Sequence, residues 1–176
     1  LLVQLSMSAQ LTGWPALDVP PPNVTEYTAL VNMSKVANAP VKSMADITGN
    51  ICLSFDDGHK VGVHTWSHSY LTSQSIEQVI AELQWTATII KNVTGITPLY
   101  MRPPFSDYDD RIRNICTQLW FKVVIWDKDT NDWLSADDKT FQMTWVEGNF
   151  TQWVGENRTT GHISLEHDLY YQTAAQ

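Results

Sequence analysis

Apolar residues in the second part of the chain come in short unbroken runs that stop on polar groups. Positions 51–55 stop on Asp56-Asp57, 98–101 on Arg102, 122–126 on Asp127, and 162–165 on Glu166-His167-Asp168. Continuous runs, rather than alternating ones, are what strands buried on both faces of a parallel sheet look like. Between them the spacing becomes helical. Ile76, Val79, Ile80, Leu83, Ala87 and Ile90 share one helix face, which predicts a helix over 75–92 with Ser73 or Ser75 as cap and Gly95 as stop. Segments 109–119 and 140–154 also read as helices. Strand and helix in alternation predict an α/β fold with a parallel sheet or barrel, whose ligand site collects at the carboxyl ends of the strands.

Ahead of position 51 the pattern fades. Pro15, Pro20-Pro21-Pro22 and Pro40 interrupt a stretch of little periodicity, so 1–50 reads as an extended lead-in with one short helix near Glu26 to Asn32. The organised domain is 51–176, without internal repeats.

Composition narrows the function. With 176 residues, 43% of them hydrophobic, the chain suits one domain with a real core. A net charge of -8, from 11 basic and 19 acidic residues, argues against a phosphate-binding surface, so nucleic acid is not an expected partner. No apolar run reaches the ~18 residues of a membrane span. Leu1-Leu2-Val3 opens the chain without Met or a basic leader, so a signal peptide is expected to be absent or a stub. The N-x-[ST] acceptors at Asn23, Asn32, Asn92, Asn149 and Asn157 tilt the reading towards a secreted protein. Cys52 and Cys116 are too few for a disulfide framework, and two buried free thiols are at least as expected as a bridge. Oligomeric state leaves no mark in the composition.

The densest chemistry lies just after the first run. A hydrolytic zinc site wants three His or carboxylate ligands and an open position, and Asp57, His64 and His68 supply that set. Such a metal brings the pKa of water down to about 7, and Asp56 would be free to take its proton. Each feature also has an ordinary reading. Adjacent aspartates commonly mark turns or helix starts, as Asp109-Asp110 and Asp137-Asp138 would. Asp127, Asp129 and Asp132 fit a solvated loop, Arg102 a rigid surface turn before Pro103-Pro104, and His59 and His162 strand edges. Trp66 and Trp133, embedded in polar segments, have the flat faces that sugar rings stack on.

Taken in order, Ser54-Phe55-Asp56-Asp57-Gly58, His64-Thr65-Trp66-Ser67-His68, Arg102-Pro103-Pro104-Phe105, Asp129-Thr130-Asn131-Asp132-Trp133 and Ile163-Ser164-Leu165-Glu166-His167-Asp168 resemble the five motifs of the NodB-homology polysaccharide deacetylases, carbohydrate esterase family four, and most of all the fungal-type chitin deacetylases. The resemblance implies a distorted (β/α) barrel that removes acetyl groups from an N-acetylglucosamine polysaccharide, giving acetate and glucosamine units. It implies Asp56 as general base, His167 as general acid, and Asp57, His64 and His68 as ligands of a divalent metal, commonly zinc. Arg102 would orient Asp56, Asp132 would orient His167, and Trp133, Leu165 and Phe105 would shape the substrate groove.

The chain departs from that pattern in places. Relatives carry several dozen residues between the Asp-Asp-Gly and H-x-x-x-H motifs; here only His59 to Val63 intervene. Parallel neighbours need a crossover of about a dozen residues. An antiparallel hairpin turning at Gly58-His59 would leave His64 roughly 15–20 Å from Asp57, whereas a looped path would bring the ligands together and leave one strand position empty. Ser106 and Trp120 stand where relatives usually have Gly, which strains Trp120 if a left-handed residue is needed there. With the chain ending at Gln176, an incomplete barrel with exposed edges is expected. The rival reading is a non-catalytic remnant, or glycan-binding protein, without an assembled metal site.

Overall fold

The computed structural model describes residues 19–21, 51–52, 60–156, 161–167 and 173. The short helix expected near Glu26 to Asn32 lies outside them. The described elements run β1 (Ile51–Cys52), α1 (Ile76–Thr94), β2 (Tyr100–Met101), α2 (Asp110–Gln118), β3 (Lys122–Val123), β4 (Lys128–Asp129), α3 (Thr144–Gly155) and β5 (His162–Leu165), with single 3-10 turns at Leu71–Ser73, Pro104–Ser106 and Asp132–Ala136.

Helix α1 starts and stops where its sequence dictates. Ser75 Oγ accepts the Gln78 N–H while the Gln78 side chain accepts the Ser75 N–H, a reciprocal capping box. Gly95, at φ 75°, closes the other end in the left-handed region. Between these ends Val79, Ile80, Leu83 and Ile90 bury against Ile112, Ile115 and Cys116 of α2 and against Val63, Met101 and Val123 of the strands. Each such fully buried aliphatic side chain is worth roughly 1.5–3 kcal/mol of removed apolar surface.

Helix α2 is capped by Asp109, whose side chain accepts the Ile112 N–H at 2.8 Å. Its exit is less comfortable. The Phe121 N–H bonds the Cys116 carbonyl and the Trp120 N–H bonds the Thr117 carbonyl, a Schellman turn that puts Trp120 at φ 66°. Ser106 sits at φ 57°. Both residues that replace a usual glycine thus adopt the left-handed backbone. Cys116, free and buried in this helix, has its thiol pushed up to about 12 by burial.

Every described strand pairing is parallel. One sheet has the order β1-β5-β4, with Ile51 opposite His162 and Lys128 opposite Ser164; the other pairs β2 with β3, Tyr100 opposite Lys122. Val63 extends the second sheet through a parallel bridge to Met101. The run 122–126 forms a strand at Lys122–Val123 and a bridge at Val124, and β4 falls in a polar stretch read from sequence as loop. Because Val63 pairs with β2 and β1 pairs with β5, the chain does not return along β1 as a hairpin. Among the described residues no strand lies between β1 and Val63, and the two sheets do not close into a barrel. None of the described helices is long and apolar enough to cross a membrane.

Candidate active site

The segment after Val63 carries two imidazoles. Val63 is pinned on both sides, its N–H to the Tyr100 carbonyl at 2.8 Å and its carbonyl to the Arg102 N–H at 2.9 Å. His64 follows directly, with Nδ1 2.7 Å from the Arg102 carbonyl. A carbonyl only accepts, so Nδ1 carries the proton and Nε2 keeps its lone pair. That is the tautomer a metal-ligating histidine needs, its second nitrogen fixed by a backbone acceptor. His68 lies edge-on to it, ring centres 4.9 Å apart. Burial, above all, lowers the His64 pKa from 6.5 to about 4, with the neighbouring His68, Arg102 and His167 adding to it against the Arg102 carbonyl bond. His68 is lowered as well, by burial and then by His167.

The loop between these imidazoles is tightly bent. Thr65 and His68 both have positive φ, 63° and 56°, and the His68 N–H closes onto Thr65 Oγ1 at 3.1 Å. A β-branched residue in this region costs on the order of 1–3 kcal/mol, so other contacts must hold it. Glu82 of α1 supplies them. Its Oε2 accepts the Trp66 and Ser67 N–H groups at 2.6 and 2.8 Å, and its Oε1 accepts the Ser67 hydroxyl.

Arg102 bridges to the rest of the rim. Its guanidinium lies over the Trp126 ring, 5.9 Å from the centroid, and Nε is buried without a hydrogen-bond partner among the described residues. Burial lowers its pKa and the Glu166 carboxylate opposes that shift. Beyond Pro103-Pro104, Phe105 at φ 56° stacks on Tyr70 at 4.3 Å and meets His68 edge-on at 4.8 Å, with more than half its surface exposed.

A second pair of polar side chains comes from the other sheet. Asp132, 2% exposed, accepts the His167 N–H through Oδ2 at 2.6 Å and faces His167 Nδ1 through Oδ1 at 2.8 Å. One carboxylate therefore fixes both the backbone and the ring. The loop that delivers Asp132 is tied down in turn: Thr130 Oγ1 donates to the Leu165 carbonyl at 2.9 Å, the Asn131 N–H to Asp129 Oδ1 at 2.8 Å, and Asn149 Nδ2 of α3 to the Thr130 carbonyl at 3.3 Å. Asn131 takes φ 57° there. Leu165 is buried and Trp133 about half exposed.

Direct contacts join His64 to Arg102 and His68, and His68 to Phe105, while Asp132 holds His167; His167 lies near enough to lower the pKa values of the other two imidazoles. Asp56 and Asp57 lie outside the described residues. Among those described, no three His, Cys, Asp or Glu side chains form a metal-binding group. His162 is ordinary: it pairs with Asp127 at 2.6 Å where β5 begins, at the end of that strand away from His167. Sequence reading passed over Glu82, although a lone acid within the consecutively buried run of residues 79–83 is the signal for one.

Comparison with known proteins agrees with this geometry. The family described as Polysaccharide deacetylase matches residues 37–124. Chitin deacetylase 3 of Cryptococcus neoformans var. neoformans is 39% identical over 153 residues, covering 84% of this chain and 37% of that protein. A chitin deacetylase of Amylomyces rouxii is 41% identical over 118 residues, 64% of this chain and 28% of that one. The chain therefore spans little more than a third of the curated relatives it matches, or less. In three dimensions it resembles the chitin deacetylase from the fungal pathogen Colletotrichum lindemuthianum, with a TM-score of 0.59 at 25% identity over 66% of this chain and 51% of that one. The match over half of the chain, joined to the motif order and the fold, makes this protein a member of the polysaccharide deacetylase family.

Proposed function

We propose that the chain is a metal-dependent N-deacetylase of N-acetylglucosamine polysaccharides, with chitin as its substrate. The observation that carries this reading is the His167–Asp132 pair set on the same rim as the His64–His68 pair. The similarity to fungal chitin deacetylases supports the choice of polymer. On this reading the two parallel sheets are arcs of one incomplete (β/α) barrel, and the N-x-[ST] acceptors support a secreted protein.

His64 and His68, with Asp57 as third ligand, would hold the divalent cation, zinc by the chemistry of the donor set. When bound, such a cation polarises the acetyl carbonyl and acidifies water. The chain's own groups do the rest. Asp56 takes the proton of the attacking water, and the buried Arg102 Nε is the donor that would hold Asp56 in its ionised form. Asp132 holds the Nδ1–H of His167, and in the doubly protonated ring the Nε2–H would give its proton to the leaving amine as the acetyl C–N bond breaks. Trp133 and Phe105 offer exposed aromatic surface to the polymer.

The test is acetate release from N-acetylated chito-oligosaccharides by the full chain loaded with Zn2+. Release that a chelator abolishes and Zn2+ restores is the expected result. A chain that binds Zn2+ and the oligosaccharide yet frees no acetate would refute it and leave a glycan-binding protein.

A further inference from the structure

Glu82 is the most buried carboxylate among the described residues, with 0% exposure, and it lies in the middle of the apolar face of α1, between Ile80 and Leu83. A glutamate almost never takes such a place without partners that compensate its desolvation. Gln74 apart, the hydrogen bonds of its carboxylate reach to the segment between the two imidazoles. Oε2 receives the N–H groups of Trp66 and Ser67; Oε1 receives the Ser67 hydroxyl and, at 3.5 Å, the Gln74 amide. Neither N–H belongs to a helix or a strand, and Glu82 Oε2 is an acceptor for both. The residues flanking these bonds, Thr65 and His68, are the two of this segment whose backbone is left-handed.

We propose that Glu82 is the positioning residue of the metal centre: it grips Trp66 and Ser67 so that the strained turn between them holds His64 and His68 within ligating distance of one cation. The inference rests on the metal-centre reading above. It assigns to α1 a second task besides filling the core. The helix is capped at both ends and packed along its length, so the carboxylate is fixed on a rigid element, as ligand support requires.

The experiment uses the full chain, with Co2+ as the metal probe and hydrogen exchange as the second readout. In the metal-free chain, E82A should abolish the protection of the Trp66 and Ser67 amides while those inside α1 stay protected. The visible Co2+ spectrum should change, and Co2+ affinity should fall about ten- to a hundredfold, the usual cost of removing a partner that orients ligands. Glu82→Gln keeps one oxygen for the two amides and sets an amide against the Gln74 donor, so it should recover most of the protection and part of the affinity. It also serves if E82A does not fold. Ser67→Ala, which spares both backbone bonds, should bind Co2+ almost as the parent does. A folded E82A with parental exchange at Trp66 and Ser67 overturns the proposal, as does one with a freed loop and undiminished Co2+ affinity. Parental chain that binds no Co2+ overturns the metal-centre role too, and with it the reading it rests on; protected Trp66 and Ser67 amides in that chain would then mark Glu82 as a loop anchor only.

Discussion

Trp120 offers a direct test of whether backbone conformation at the α2 exit costs this protein stability. The indole is 85% exposed, so deleting it forfeits only a few tenths of a kcal/mol of burial. Its φ of 66° is another matter, since an L-residue in the left-handed region costs about 1–2 kcal/mol. Glycine removes that cost but adds about 0.5–1 kcal/mol of unfolded-state entropy. For W120G the balance is a stabilisation of about 0.5 kcal/mol. W120A is the decisive comparison: it deletes the ring and retains Cβ, so it should match the parent or fall slightly below it. The order of stability is therefore Gly, then Trp, then Ala, with about 1 kcal/mol between Gly and Ala. Urea denaturation followed by circular dichroism reads this as a shift in midpoint at constant slope, and thermal melts as about 2–4 °C between the two variants. An alanine variant as stable as the glycine one would refute the reasoning, because the gain would then come from losing the ring.

Three further outcomes are expected. Asp132→Asn keeps one acceptor for His167 but sets an amide against Nδ1–H, so acetate release should drop about ten- to a hundredfold while zinc affinity holds; unchanged turnover would remove Asp132 from the mechanism. His64, whose pKa lies near 4 when folded and 6.5 as a free side chain, takes up its proton more readily in the unfolded chain. The stability it supports is therefore whole above pH 6.5 and drains away as pH falls towards 4, by up to about 2 kcal/mol at about pH 5. Urea midpoints of the metal-free parent and an H64Q variant should diverge in that window, and parallel profiles would contradict it. Cys116, a buried thiol pushed up to about 12, should resist alkylation in the folded protein and label fully in urea, as peptide mapping would show; rapid native labelling would contradict its burial.

How much could be read from the sequence depended on how local each feature was. Helix α1 was legible to within two residues because its cap, its apolar face and its terminal glycine are all set by neighbours a turn apart. The α3 helix began four residues later than expected, at Thr144, where Met143 provides no side-chain cap to mark the start. Strand β4 was invisible: Lys128 and Asp129 are polar, and only pairing with Ser164 and Leu165 makes them a strand. The contacts of the site span still longer separations. His167 meets Asp132 at 35 residues and His64 meets the Arg102 carbonyl at 38, distances over which periodicity carries no information. Family motifs supplied those identities and the pairing of Asp132 with His167, but not the bond of His64 to the Arg102 carbonyl. Glu82 escaped both routes, since its one mark, a lone acid among Val79, Ile80, Ala81 and Leu83, gains meaning only when the fold buries it.

The separation of the two parallel sheets gives the rim a second character. Val63 and Arg102 present the imidazole pair from the sheet built on β2 and β3, whereas Asp132 and His167 flank strands of the sheet built on β4 and β5. Among the described residues, no strand pairing crosses from one sheet to the other. A ligand that touches both groups is thus a clamp between two structural halves. It binds only when both are formed, so its free energy of binding is added to the cooperativity of the whole domain. Substrate recognition and structural integrity are, at this seam, the same equilibrium.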